Sequence, residues 1–181
     1  MHRKLLSAAL AAAMTLTLAA CGTDEGADNP DAYTVGICEQ LEHVSLSEAT
    51  RGFKDGLVEI FGEDGVVFTE GNALGEQTNC TTIINGFIAE GVDLILANAT
   101  YPLQAAASAT AEIPILGTSV TDYGTALNID GFNGTVGTNI SGTSDLVDLD
   151  EQAALLSELF PEAGTVALLY CSGEPNSVYQ I

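Results

Sequence analysis

The side chains best equipped for chemistry fall into two groups. The first is Cys38, Glu42 and His43, close together in the chain, with Cys80 further along. A thiol beside an imidazole can serve as nucleophile and base, but that chemistry needs a third group to orient the imidazole, and the sequence places none. Cys38, Glu42, His43 and Cys80 are also metal-ligand types, yet the compact CxxC or HxxxH spacing of zinc sites is missing, so no metal is expected. A disulfide between Cys38 and Cys80 is the third use of the same atoms, and exported thiols tend to pair. Cys171 then stays unpaired. No GxGxxG follows the first apolar run and no phosphate-loop lysine exists, so no nucleotide cofactor is expected.

The second group consists of small polar residues, each standing where an apolar run stops. Asn98, Ala99 and Thr100 end LILANAT; Thr118, Ser119 and Asp122 follow IPILG; Ser172, Glu174, Asn176 and Ser177 follow TVALLYC. Small side chains leave backbone N–H groups within reach of a ligand. A helix opening at Pro102 would add the positive end of its dipole. Such an edge suits a carboxylate or a neutral polar solute, provided the runs are strands of one parallel sheet, whose ligands sit beyond the carboxyl ends.

The periodicity supplies that sheet. Tyr33–Cys38, 66–70, 92–98 and 113–117 read as strands. Residues 45–61 carry Leu46, Ala49, Phe53, Leu57, Ile60 and Phe61 at helical spacing, with Ser45 and Glu48 as a capping box and Gly62 as the stop. Residues 76–90 form a second helix ended by Gly91, and a third opens at Pro102. Strands alternating with helices, the strands apolar on both faces, give an α/β doubly wound parallel sheet. Residues 136–140 read as a fifth strand, 145–160 as a helix, 165–171 as another strand, and Pro175 as the start of a helix. One strand with its flanking helices cannot bury a sheet. The expected organisation is therefore a complete lobe over 33–140 and the opening of a second, incomplete lobe over 141–181. In a 2-1-3-4 strand order the second helix crosses over strand one, which brings Cys80 toward Cys38.

The chain opens with Arg3 and Lys4, an apolar run over 5–20, and LAAC ending at Cys21. The run is too short and alanine-rich for a comfortable membrane span and reads as an export signal over 1–20. LAAC resembles the bacterial lipobox, which implies a lipid on Cys21, and 21–32 reads as a polar, acidic tether. The sequence holds 25 acidic residues, and beyond the signal only Arg51 and Lys54 are basic. That balance repels nucleic acid, so no nucleic-acid partner is expected.

Several blocks together carry a resemblance: YTVGICEQLEHVSLSEATRGFKDGL, VDLILANATYPLQAAA, IPILGTSVTDY, GTNISGTSDL and LLYCSGEPNSVYQ. They are similar to the substrate-binding lipoproteins of bacterial ABC transporters, and more narrowly to the branch assigned to tryptophan or tyrosine uptake. The resemblance implies a type I periplasmic-binding-protein lobe of strand order 2-1-3-4-5, and a ligand closed between two lobes by hinge motion. It implies an amino-acid ligand, an ABC permease and an ATPase as partners, a lipid anchor on the extracytoplasmic face, and no catalysis. By the same resemblance Asn98, Ala99, Thr100, Thr118 and Ser119 hold the ligand carboxylate. Asn139 lies in the crossing between lobes, Ser172, Glu174, Asn176 and Ser177 face the cleft, Glu174 or Asp122 meets the ammonium group, and His43 or Glu42 lines the side-chain pocket. Two other classes stay open: a lipid-anchored sensor binding the same ligand for a signalling partner, and a small hydrolase using Cys38 or Ser172.

Overall fold

The computed structural model describes residues 29–181. Tyr33–Glu39 (β1), Val66–Asn72 (β2), Leu94–Asn98 (β3), Ile115–Val120 (β4) and Ile140–Ser144 (β5) form one sheet in the order β2-β1-β3-β4-β5. Every neighbouring pair is parallel. The central strands bury both faces, as their unbroken apolar runs require. Val35, Ile37, Cys38, Ile95, Leu96 and Ala97 are all buried.

Two layers of helix make this possible. On one face lies Val44–Phe61 (α1), whose Phe53, Leu57 and Val58 pack over Val35, Ile37, Val66 and Leu96. On the other lie Gln77–Glu90 (α2) and Thr100–Ala109 (α3), which bring Ile84, Phe87, Leu103 and Ala106 onto Ile95 and Ile115. α2 sits close to β1 because Gly36 leaves room: a Cβ there would lie 2.6 Å from the Phe87 ring. The helix ends at Gly91 in the left-handed conformation (φ 73°, ψ 42°), as its sequence predicts.

The structure departs from the sequence reading at several boundaries. α1 is capped by His43, whose Nδ1 accepts a hydrogen bond from the Ser45 N–H at 3.2 Å. The expected Ser45–Glu48 box does not form; Glu48 pairs with Arg51 instead. α3 begins at Thr100, ahead of Pro102. After β4 comes a short helix, Tyr123–Leu127 (α4), and β5 begins at Ile140 rather than Val136. Gly131, Gly134 and Gly137 all have positive φ, a backbone that strand pairing does not accept.

Leu149–Leu159 (α5) is shorter than the expected 145–160, because Asp148 caps it by accepting from the Asp150 and Glu151 N–H groups. Residues 165–171 are not a strand. The segment is exposed, Leu168 and Leu169 included, and among the described residues no strand lies beside it to take its backbone hydrogen bonds. Pro175–Tyr179 (α6) does start on its proline.

The β4–β5 junction is wedged by an aromatic ring. Tyr123 is buried, and its hydroxyl donates to the Thr143 carbonyl at 3.2 Å. Burial, with repulsion from Asp145, pushes the phenol up to about 12. A phenol raised above its ordinary value of about 10 favours the folded state at every pH below 10, and that contribution is lost as pH climbs through about 12. Urea midpoints measured from pH 9 to 12 should fall steeply in that window, and Tyr123→Phe should flatten the fall. Equal alkaline slopes in the two proteins would refute the assignment.

Candidate functional site

The carboxyl ends of β1, β3 and β4 form a rim of small and polar groups. Asn98 is paired with Thr118 in the β3–β4 register, so the residues that follow them, Ala99 and Ser119, are neighbours. Both have left-handed backbones: Ala99 at φ 91°, ψ 176°, and Ser119 at φ 56°. Neither is glycine, and each such conformation costs on the order of 1–3 kcal/mol. The surroundings enforce it. Ala99 N–H donates to the Thr118 carbonyl at 2.9 Å, and the Ala99 carbonyl accepts from Leu103 N–H in the first turn of α3. Two adjacent strained turns aim the start of α3 and the end of β4 at one spot. The cap residue Ala99 gives α3 no side-chain bond, but Gln40 takes the Tyr101 N–H of its first turn and Pro102 has no N–H to offer.

A hydrogen-bonded frame holds the rim from behind. The Gln40 side-chain carbonyl accepts from Tyr101 N–H at 3.2 Å, and its backbone N–H donates to the Asn98 carbonyl at 3.2 Å. The Asn98 side chain is fully buried and points at α1: its Nδ2 donates to the Leu46 carbonyl at 2.8 Å and to Thr50 Oγ1 at 3.0 Å. Thr50 in turn donates to Glu39 Oε1 at 2.5 Å. Asn98 Oδ1 is left without a partner. Asn98 therefore positions the rim from the α1 side.

Of the other residues singled out in the sequence, Thr100 is buried at the start of α3, and Thr118 and Ser119 are half-buried within the last turn of β4, which runs further than expected. Asp122 is half-buried and spends Oδ1 on the Thr125 N–H at 2.6 Å, capping α4. Glu42 and His43 are exposed at the start of α1, and His43 is the cap described above. Asn139 is not at the rim. It precedes β5 at the opposite edge of the sheet, where its Nδ2 donates to the Ile113 carbonyl at 2.6 Å and the Thr110 carbonyl at 3.3 Å. The segment around α6 does reach the rim: before the helix the Gly173 carbonyl accepts from the Tyr101 hydroxyl at 3.4 Å, and just after it Gln180 Nε2 donates to Thr121 Oγ1 at 3.4 Å. Glu174, Asn176 and Ser177 are half-buried there and Ser172 is exposed. Burial and the nearby Glu174 carboxylate raise the Tyr101 phenol.

The sequence reading overlooked Gln40 and Tyr101. The available signal was position: each directly follows, or sits two or three residues beyond, the end of an apolar strand. Among the described residues the lysine and arginine side chains, Lys54 and Arg51, are held by Glu70 at 2.5 Å and by Glu48. An anion at the rim would thus be met by N–H and hydroxyl groups. A groove of about 620 Å³ lies elsewhere, between Gln104 and Ser108 of α3 and Asn128 to Ile140.

Cys38 and Cys80 are both fully buried free thiols, hydrogen-bonded side chain to side chain. Cys171 is exposed. No group of three or more metal-ligating His, Cys, Asp or Glu side chains occurs among the described residues, and no helix there is long and apolar enough to cross a membrane. Cys21 and the export signal over 1–20 lie outside the described residues, as does most of the tether.

Residues 34–181 match the model of the family described as ABC transporter substrate binding protein. A tyrosine-binding protein of Clostridioides difficile is 31% identical over 99% of this chain and 55% of its own length. Two crystal structures superpose with TM-scores of 0.76. One is the ABC domain of Streptococcus pneumoniae in complex with L-Trp, 32% identical over 82% of this chain and 50% of that one. The other is a conserved domain protein of Vibrio cholerae, 29% identical over the same shares. The chain spans about half the length of these relatives. With its parallel sheet, strained rim and matched family model, the chain belongs to the ABC transporter substrate-binding proteins.

Proposed function

We propose that this protein is the extracytoplasmic solute-binding component of an ABC importer and that it captures an amino acid, an aromatic one. The observation that carries the reading is the pair of strained residues Ala99 and Ser119, which present the start of α3 and the end of β4 to one point. The positive end of α3 and the hydroxyls of Thr100, Thr118 and Ser119 fit the ligand carboxylate; Glu174, or Asp122 if it leaves its cap, fits the ammonium group. The sheet through Ser144 acts as one jaw, so the boundary falls after β5 rather than at residue 140, and the residues beyond it open the other. Closing them removes water and strengthens every hydrogen bond to the ligand's charged ends. The relatives support an amino acid over other solutes, since one is named for binding tyrosine and one is complexed with tryptophan.

The permease and ATPase are the partners that use the cargo, and the lipid on Cys21 keeps the protein at the membrane. The protein changes its solute's location and leaves its bonds intact. A thermal-shift titration of the full-length protein against amino acids, nucleosides and sugars tests the assignment. Tyrosine or tryptophan at a hundredfold excess over its dissociation constant should stabilise the fold by about 3 kcal/mol, with the ligand recovered unchanged. Silence toward every amino acid, or chemical conversion of the bound one, would overturn it.

A further inference from the structure

The buried Cys38–Cys80 pair has no part in holding a solute, and its placement points to a second role. Cys38 lies near the end of β1, immediately before Glu39 and Gln40, which hold the rim from behind. Cys80 lies in the first turn of α2. The chain between them contains α1 and β2, the edge strand of the sheet. Backbone bonds bring the two ends together: Ala73 N–H donates to the Glu39 carbonyl at 2.9 Å, and Cys80 N–H to the Glu76 carbonyl at 3.3 Å. Both sulfurs sit in one apolar cluster with Ala73, Ile84 and Ala97, with no solvent contact.

We infer that Cys38 and Cys80 are a redox pair that closes to a disulfide under oxidising conditions, bolting the start of α2 to the rim end of β1. The hydrogen bond from Cys38 lowers the Cys80 thiol, so Cys80 ionises first, while the same bond and burial push Cys38 up. The Cys80 thiolate attacks the disulfide of an oxidant, a small-molecule disulfide or a thiol–disulfide oxidoreductase, before the core closes over the pair. One thiol of the oxidant leaves. Cys38 then loses its proton and displaces the second, so that two S–H bonds and the oxidant's S–S bond give one protein S–S bond and two thiols. The pair loses two electrons and the oxidant gains them. Cys171, exposed and distant in sequence, serves as an internal control.

The test is differential alkylation of the full-length protein after it has been refolded from denaturant in the presence of oxidised glutathione. The protein is denatured, labelled with a first reagent, reduced, and labelled with a second. Cys38 and Cys80 should carry the second label, and a single peptide pair joined through them should appear without reduction. The oxidised protein should melt roughly 5–10 °C above the reduced one, a difference absent in Cys38→Ser and in Cys80→Ser and retained in Cys171→Ser. First label on both Cys38 and Cys80, or a bridge from either to Cys171, overturns the proposal.

Discussion

Gly142→Ala should cost roughly 3 kcal/mol or more and loosen the junction between β4 and β5. Two independent effects add at this site. The backbone of Gly142 has φ 152°, on the side of the map that side chains avoid, which is worth about 1–3 kcal/mol. A Cβ at Gly142 would also fall closer than 3.0 Å to the Gly117 carbonyl oxygen, the Gly117 nitrogen and the Tyr123 hydroxyl. Two of those atoms are backbone and cannot swing away, so the strands must part. Overpacking of this kind costs about 1–3 kcal/mol. Gly117 and Gly142 are paired in the β4–β5 register, and the irregularity in that pairing starts at Gly117, so the strands already bend around the tyrosine ring there. Urea denaturation gives the number directly. Gly86→Ala, in the middle of α2 with nothing near its would-be Cβ, is the matched control and should stabilise by about 0.5–1 kcal/mol. If Gly142→Ala shifted stability by less than 1 kcal/mol, the wedge at this junction would be refuted.

Asn98→Asp should be as damaging, for an electrostatic reason. The substitution keeps the shape and removes two donated hydrogen bonds, to the Leu46 carbonyl and to Thr50. It sets a carboxylate oxygen against a carbonyl oxygen and near the Glu39 carboxylate, which already takes the Thr50 proton. The site is fully buried. Leaving a buried charge without a partner costs on the order of 3–5 kcal/mol. Desolvation and the like charge both raise the new carboxyl's pKa in the folded state. A raised folded pKa favours folding below the unfolded value of about 3.9 relative to higher pH. The variant's deficit against the wild type should therefore be largest near pH 7 and shrink as pH falls toward 4. Paired urea titrations at the two pH values measure this. A deficit under about 1 kcal/mol at pH 7, or one that grows on acidification, would show that Asn98 does not hold the rim from within the core.

These two residues also mark the difference between local and tertiary information. Asn98 was legible in the sequence as a polar residue ending an apolar strand, and its place at the sheet's carboxyl edge followed from that. Its direction was not. Whether the last side chain of a strand faces a ligand or a helix depends on which face α1 covers, and only packing decides that. Asn139 shows the same limit at larger scale. It stands in a segment that alternates weakly, and the shift of β5 from Val136 to Ile140 moves it to the opposite edge of the sheet, where it satisfies the carbonyls of Thr110 and Ile113. His43 has the chemistry of a site residue but serves α1 as its cap.

The sequence by itself determined the alternation of strand and helix, the parallel sheet, and the small polar residues along its carboxyl edge. Those follow from apolar runs of strand length, helical spacing between them and the stop residues that bound each, all of which act over a few residues. The tertiary structure alone decided the strained backbone at Ala99 and Ser119 and the tyrosine wedge over Gly117 and Gly142. Each of these depends on atoms from separate elements competing for one volume, and no local preference in the chain specifies the outcome of that competition.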